Sequence, residues 1–183
     1  MRAIVSLVVM IILGSMFIRH SHAGDYQEAL NWVRQNGRLQ VDARQPGSPV
    51  VGVDLYHIGR TTVNDADMQR LAAFPHLRNL NIGFSSVTDE GLKQIANFKE
   101  LENLDVCFTA VSDAGLSELK DLTSLQSISL QNTKVTDAGI KHLSGLKNLR
   151  RISMGSSGGI TNRARATSSP WRRLSRYTFS VQP

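Results

Sequence analysis

Apolar residues return at an interval of 24 positions through the middle of the chain. Three columns lie close together: Leu77, Leu101, Leu125, Leu149; Leu80, Leu104, Ile128, Ile152; and Ile82, Val106, Leu130, Met154. Two more follow: Ile95, Leu119, Leu143 and Phe98, Leu122, Leu146. The Leu-x-Leu spacing has period two, which predicts a strand with one buried face. The later three-residue spacing predicts a short helix.

A turn sequence recurs between each predicted strand and helix. Its copies are Val87–Leu92, Val111–Leu116 and Val135–Ile140, with a weaker copy at Val63–Met68. The hydroxyl residue in each full copy stands where a helix N-cap is expected, and the following aspartate suits the first helical turn. The glycine two residues later is expected to let each helix begin close to its neighbour. Stacked repeats of this kind predict a parallel sheet with helices behind it.

This pattern resembles leucine-rich repeat proteins, in particular the bacterial exported kind with Val-Thr-Asp-Ala-Gly-Leu turns. That kind is related in pattern to the cysteine-containing repeats of F-box partners. The resemblance covers about residues 50–161 and implies an α/β solenoid, with a parallel sheet on one face and short helices on the other. Hydroxyl residues stand where many such repeats carry a buried asparagine, and we expect them to bond successive turns: Ser85, Thr109, Thr133 and Ser157.

Residues 24–49 are predicted to form an N-terminal cap. An amphipathic helix is expected over residues 25–36, with Gly37 ending it. The alternating stretches Leu39–Val41 and Val51–Leu55 are separated by a turn at 44–49, which predicts a hairpin. A helix and hairpin here would cover the open edge of the first repeat.

The first 23 residues have the pattern of a signal peptide. Arg2 precedes an apolar run from Ile4 to Ile18, and small residues flank His22 before the expected cleavage site. The run is short for a membrane span, but Arg19 after it leaves an uncleaved N-terminal anchor as the alternative. Either interpretation predicts export, to the periplasm, the cell surface or the medium. A single cysteine suits an exported protein that does not rely on disulfides.

The net charge of +6 belongs to the C-terminal end and not to the repeats. Residues 24–148 hold 12 basic and 15 acidic side chains, whereas residues 149–183 hold seven arginines and no acid. We therefore expect no nucleic-acid partner for the repeats. Residues 162–183 are predicted to be a basic, disordered tail. The alternatives are sequence from a shifted reading frame, which would make the chain a non-functional fragment of a longer array, and a capping strand at Tyr177–Val181.

Residues with catalytic chemistry are scattered over the predicted fold. His57, His76 and His142 fall in different repeats, and Cys107 is expected on the outward side of its strand without a histidine in its column. The aspartates Asp65, Asp89, Asp113 and Asp137 form a column that could attract calcium, although capping of their own helices explains it better. The sequence therefore predicts a non-enzymatic protein without cofactor or metal.

The remaining candidate site is the outward, concave face of the sheet. Its predicted binding residues are Asn79, Asn81, Phe84, Asn103, Asp105, Phe108, Ser127, Ser129, Gln131 and Arg151. Repeat proteins present this face to partners, and the partner expected here is a protein or a cell-envelope glycan. A merely solvated polar face is the alternative. Membrane contact is expected only through an uncleaved N-terminus, and self-association only through an uncovered last turn at Leu149, Ile152 and Met154.

Overall fold

The computed structural model describes residues 25–56 and 63–155 of the 183-residue chain. Helix α1 covers residues 25–36. The strands are β1 Arg38–Val41, β2 Val50–Asp54, β3 Asn79–Asn81, β4 Asn103–Asp105, β5 Ser127–Ser129 and β6 Arg151–Ser153. The later helices are α2 Asp65–Met68, α3 Asp89–Ile95, α4 Asp113–Glu118 and α5 Asp137–His142. Short 3-10 turns follow three of these helices at Gln69–Ala73, Leu119–Asp121 and Leu143–Gly145.

The six strands form one sheet in chain order. Strands β2 to β6 are parallel, and from β3 onward each residue pairs with the residue 24 positions later. Leu80 faces Leu104, which faces Ile128 in the next strand. The register predicted from the 24-residue period is therefore confirmed. A slip of one residue would turn every one of these side chains to the solvent.

The core lies between the sheet and the layer of short helices. Every member of the five apolar columns is buried, with at most 5% of its surface exposed. Leu104, in the central strand position, is 3% exposed, and its neighbour Ile128 is fully buried. Stacked repeats bury a side that no single repeat could bury alone, and the α/β solenoid architecture is confirmed.

The predicted helix caps are also confirmed. The side-chain oxygens of Thr88, Ser112 and Thr136 accept a backbone N–H from the residue two positions later. Asn64 in the weaker copy forms a capping box with Asp67. These side chains satisfy backbone donors that the first helical turn leaves open.

The aspartate column joins neighbouring repeats, which corrects the expectation that each aspartate serves its own helix. The Asp65 carboxylate accepts bonds from the Thr88 N–H (2.8 Å) and hydroxyl (2.7 Å) and from the Gly91 N–H (3.0 Å). Equivalent bonds join Asp89 to Ser112 and Asp113 to Thr136. We call this contact the aspartate bridge.

Glycine is required at the end of each aspartate bridge. A Cβ on Gly91 would lie 2.6 Å from the Asp65 Oδ1. Gly115 and Gly139 meet the carboxylates of Asp89 and Asp113 in the same way. The prediction that these glycines permit close approach is confirmed, and what approaches is the carboxylate of the preceding repeat.

The hydroxyl column behaves differently from the expectation. The Thr109 hydroxyl donates to the Val106 carbonyl (2.7 Å), and the Thr133 hydroxyl donates to the Leu130 carbonyl (2.8 Å). Both bonds close a turn within one repeat, and each uses the single proton that a hydroxyl can donate. The prediction that this column links successive turns is wrong for these two residues, and Ser157 lies outside the described residues.

The N-terminal helix and hairpin form as predicted. Ala29 and Val33 of α1 are buried, and β1 pairs antiparallel with β2. Gly37 ends α1 where a Cβ would collide with the Asp54 backbone carbonyl oxygen, so only glycine fits this close approach.

At the other end, the expectation of an uncovered last turn is wrong for its three apolar side chains. Leu149, Ile152 and Met154 are 5%, 2% and 5% exposed and belong to the same core cluster as the earlier repeats. The segment 1–23, the tail 162–183 with its strand at Tyr177–Val181, and the limits of the domains at 24–49 and 50–161 stay predictions. Both terminal segments lie outside the described residues.

Candidate functional site

The outward side of the sheet carries polar residues in ordered columns. Strand alternation buries Leu80, Leu104 and Ile128 and turns their neighbours outward. We call this surface the polar sheet face; its members are Asn79, Asn81, Asn103, Asp105, Ser127, Ser129 and Arg151. All are half-buried or exposed. Asn79, Asn103, Ser127 and Arg151 are consecutive register partners, and Asn81, Asp105 and Ser129 form the adjacent column.

Side-chain amides link the first column. Asn103 Nδ2 donates to Asn79 Oδ1 (2.7 Å), and Asn79 Nδ2 donates to Gln40 Oε1 (3.2 Å). Gln40 lies on β1 and was not among the predicted site residues, because its strand runs antiparallel and has no place in the 24-residue period. Gly52 makes room for it, since a Cβ there would lie 2.7 Å from the Gln40 Oε1.

The second column ends each strand with a side-chain turn. Asp54, Asn81 and Asp105 each accept the backbone N–H two residues later, at 3.0, 3.1 and 2.9 Å. This local bond competes with continued strand pairing and redirects the chain. It therefore sets the direction in which the chain leaves the sheet toward the aromatic residues.

Three aromatic side chains line the edge of the sheet where the strands end. The Phe84 and Phe108 rings are stacked, with centroids 4.1 Å apart and an interplanar angle of 17°. The Tyr56 ring meets Phe84 edge-on, at 5.1 Å and 78°. We call Tyr56, Phe84 and Phe108 the aromatic ridge. Tyr56 was missed by sequence reasoning, because it precedes Phe84 by 28 residues and so falls out of the repeat.

The ridge is the main exposed apolar feature of the part of the chain that is described. Tyr56, Phe84 and Phe108 are 39%, 36% and 43% exposed, and Val41 is the other large apolar residue with such exposure there. The prediction that Phe84 and Phe108 lie one above the other is confirmed. Gln131, which was also predicted, is half-buried and lies beyond β5, where its carbonyl accepts the Phe108 N–H.

A shallow hollow of about 370 Å³ lies in the polar sheet face. Its lining includes amides, hydroxyls and carboxylates of the two columns, among them Asn81, Asn103, Asp105 and Ser129. A larger groove of about 1120 Å³ runs between α1 and the turn Gln69–Ala73 and is lined by no predicted site residue.

Cys107 lies on the outward side of the sheet as predicted, next to Gly83 and the Asp105 carboxylate, but it is buried there. It follows β4 instead of belonging to it, and it is 7% exposed. A Cβ on Gly83 would lie 2.7 Å from its sulfur, so the thiol occupies the space that glycine leaves. Burial, together with the Asp105 carboxylate beside it, raises the pKa of the Cys107 thiol to about 12. A thiol in this state is a poor nucleophile at neutral pH.

The two described histidines, His76 and His142, do not form a catalytic group with Cys107. His76 Nδ1 lies 2.9 Å from Glu100 Oε1, and this contact lowers the pKa of Glu100. His142 ends α5, whereas His57 lies outside the described residues. Within residues 25–56 and 63–155, no cluster of three or more histidine, cysteine or acidic side chains is arranged to hold a metal ion. The same ranges contain no helix long and apolar enough to cross a membrane.

Comparison with known proteins gives a family match over one repeat. The family model described as "Leucine Rich repeat" matches residues 75–96. No curated protein matches the chain.

Among solved structures, the chain is similar to two Listeria monocytogenes proteins. For internalin C2 the TM-score is 0.47 at 22% identity, covering 70% of this chain and 59% of that protein. For internalin F the TM-score is 0.42 at 23% identity, covering 72% of this chain and 41% of that protein. The chain thus spans about half the length of these structures. The family match, together with strands that pair at the 24-residue period, identifies the fold as a leucine-rich repeat solenoid.

Proposed function

We propose that the protein is a non-enzymatic binding module that holds a protein partner against the polar sheet face and the aromatic ridge. The observation that carries this proposal is the position of the exposed aromatic side chains. Three of them pack together at the edge of a polar face in a chain with only 6% aromatic residues. Aromatic anchors bordered by polar groups are typical of the residues that dominate binding energy in protein interfaces.

The polar columns support the same proposal. Their amides and hydroxyls are small, and the sheet holds them at fixed spacing through its register. Groups fixed in this way lose little conformational entropy when a partner binds. The buried, protonated Cys107 and the separated histidines favour binding over catalysis.

Site-specific photocrosslinking tests the proposed surface. A benzoylphenylalanine at Ser127, on the polar sheet face, is expected to form an adduct with a partner in cell-envelope extract. The same group at Lys120, an exposed position of the turn Leu119–Asp121 on the helical side, is the matched control. Equal adducts from both positions would contradict the proposal.

Two sets of variants complete this test. Phe84→Ala and Phe108→Ala should leave folding intact and reduce the Ser127 adduct, because both rings lie outside the core columns. Asn103→Arg should also reduce it, since a long charged side chain would fill the centre of the face. An unchanged yield of the Ser127 adduct in all three variants would contradict the proposal that the partner binds at this surface.

A cell-envelope glycan is the second candidate partner. The hollow of about 370 Å³, with its amide and carboxylate lining, is the observation that favours it, since such groups bond sugar hydroxyls. Titration of the protein with peptidoglycan fragments, followed by amide shifts in β3 to β5, distinguishes the two. Shifts confined to the hollow, without a protein adduct, would favour the glycan.

We also propose that the protein is exported, on the pattern of residues 1–23. Cell fractionation followed by N-terminal sequencing tests this proposal. A mature N-terminus near Gly24 in the envelope or medium is expected for a cleaved signal. An intact N-terminus in the membrane fraction would support the anchor, and full-length protein in the cytoplasm would contradict export.

A further inference from the structure

The backbone of the aromatic ridge is held in an unusual conformation. Phe84, Phe108 and Asn132 occupy equivalent positions 24 residues apart, and their φ angles are +60°, +55° and +51°. Each donates its N–H to a carbonyl of the next repeat, at 2.9, 2.8 and 3.2 Å. These cross-repeat bonds fix the left-handed conformation independently of the side chain.

Phenylalanine is poorly suited to this conformation. A side chain with a Cβ crowds the carbonyl in the left-handed region, whereas asparagine is enriched there. The chain itself uses asparagine at Asn132, the same position of the following repeat. Phe84 and Phe108 are therefore in places where another residue would fit the backbone better. Residues held in this way concentrate at functional sites.

The core gains little from these two side chains. They are 36% and 43% exposed and lie outside the core cluster; their rings stack on each other, and the Phe84 ring also contacts Tyr56. Strain at positions outside the core suggests that the aromatic surface itself is what these positions provide.

The arrangement of the rings indicates what kind of partner they suit. Phe84 has Phe108 stacked on one face and the Tyr56 ring packed against it edge-on. A sugar stacks on an open ring face, whereas the Phe84 ring already has two aromatic neighbours. Apolar side chains of a protein segment pack well against such a cluster of rings.

The charge beside the ridge is negative. Asp54 and Asp105 stand in the column that leads to it, and each uses one carboxylate oxygen for its side-chain turn. Among the described residues neither forms an ion pair, although Arg38 is the register partner of Asp54. Asp105 has only the neutral Asn81 and Ser129 as register partners. A carboxylate that forms no ion pair with the described residues, beside an apolar ridge, favours a cationic group in the binding partner.

From these observations we infer that the ridge and Asp105 bind an extended protein segment in which an apolar side chain lies beside a lysine or arginine. This inference rests on the proposed function, since it names the segment that the binding module recognises. The apolar side chain packs against Phe84 and Phe108, and the cation pairs with Asp105.

A random 12-residue peptide library, selected on the full-length protein, tests the inference. The expected enriched sequences carry an apolar residue within two positions of a basic one. The Phe84→Asn/Phe108→Asn variant should weaken a synthetic peptide from this set at least about tenfold. Its melting temperature should stay within about 3 °C of the original or rise, because asparagine suits the backbone.

Asp105→Asn tests the charge separately. Asn81 shows that asparagine keeps the side-chain turn in this column, so the fold should be preserved. The variant should weaken the same peptide several-fold, and the loss should shrink as salt is raised. Glu118→Gln, an exposed carboxylate on the helical side, is the matched control and should leave peptide affinity unchanged.

Several results would overturn the inference. No enrichment, enrichment of acidic peptides, or peptides that bind the double variant equally well would each do so. A fall in melting temperature of many degrees in the double variant would show that the rings serve packing. Ridge-dependent binding of β-linked hexasaccharides without peptide binding would assign the ridge to glycans.

The proposed function is judged by a different variant. Peptide binding that is lost in Asn103→Arg but kept in the ridge variants would overturn the inference and leave the binding face in place. Peptide binding that survives in Asn103→Arg and in the ridge variants would overturn both the inference and the proposed function.

Discussion

Each aspartate bridge depends on a few atoms at the joint between two repeats. Asp89 accepts the Ser112 N–H at 2.8 Å and its hydroxyl at 2.6 Å, in a half-buried position. Removing the carboxylate leaves these donors without their partner. Because unsatisfied donors lose their hydration as well as their bond, the joint is sensitive to single substitutions.

We expect Asp89→Ala to lower the free energy of unfolding by about 1–3 kcal/mol. Asp89→Asn should cost less, because the amide keeps one accepting oxygen. Urea unfolding followed by circular dichroism measures both. Asp121→Ala, at an exposed position in a 3-10 turn, is the control and should change little. A loss in Asp89→Ala no greater than in this control would mean that the bridge does not stabilise the joint.

Cys107 should react slowly in the folded protein. Its pKa of about 12 leaves only a very small thiolate fraction at pH 8, and the thiolate is the reacting form. We expect iodoacetamide to modify the folded protein far more slowly than the urea-unfolded chain, as followed by mass spectrometry. Similar rates in the two states would show that the thiol is exposed.

Some residue positions could not be predicted from the pattern. The period placed the apolar side chains correctly, because burial repeats with the strand. The partner of each aspartate lies 23 residues away and depends on the rise between repeats, which a linear pattern does not contain. The burial of Cys107 depends on the space left by Gly83 in the preceding repeat. The left-handed backbone at Phe84 has no sequence signal, because phenylalanine is unusual there.

At the scale of the strand, the central position of β4 carries much of the packing. Leu104 is 3% exposed and lies between Leu80 and Ile128 in register. We expect Leu104→Ala to lower the free energy of unfolding by about 2–5 kcal/mol, the usual range for such a change in a core. Denaturant unfolding measures it.

The neighbouring outward position provides the control. Asn103→Ala should cost less than about 1 kcal/mol, because Asn103 is exposed. If Leu104→Ala also cost less than about 1 kcal/mol, the strand register would be wrong.

Between repeats, an ion pair connects the turns that lead into β3 and β4. Glu100 contacts His76 at 2.9 Å and Arg78 at 3.5 Å, and the His76 contact lowers its pKa. The lowered pKa means that folding favours the charged carboxylate. The resulting stability is complete above the ordinary pKa of 4.5 and disappears as the pH falls through the lowered value.

We therefore expect Glu100→Gln to destabilise the protein slightly at pH 7, by less than about 1 kcal/mol because the pair is exposed. The difference in stability between the variant and the original protein should disappear at acidic pH. Thermal unfolding across the pH range measures it, with Glu118→Gln as the control. A difference that stays constant with pH would show that the charge of Glu100 is not involved.

The whole array combines a predictable middle with less regular ends. The helix and hairpin of the N-terminal cap follow from local signals at Gly37 and the 44–49 turn. The sequence does not predict that Gln40 and Tyr56 lie beside the candidate site. These two residues come from the cap and from the strand next to it, which lie outside the 24-residue period.

We expect removal of residues 162–183 to leave the melting temperature unchanged, because this arginine-rich stretch offers little apolar surface. Calorimetry and size-exclusion chromatography of chains 24–161 and 24–183 measure stability and oligomer size. A drop of several degrees, or new self-association, would show that the segment caps the array.

Translating the downstream DNA in the other two frames tests the shifted-frame interpretation, and further Val-Thr-Asp-x-Gly-Leu repeats would support it.

The aspartate bridge has an evolutionary consequence. The same 24-residue unit supplies a carboxylate to the unit that follows and presents a hydroxyl and a glycine to the unit before it. Duplication or deletion of a whole unit therefore creates a junction identical to the existing ones. Loss of residues 89–112, for example, would leave Thr88 followed by Asp113, with both bridges available. Unequal recombination can thus lengthen or shorten the binding face without inventing a new joint, whereas a change of one residue breaks it.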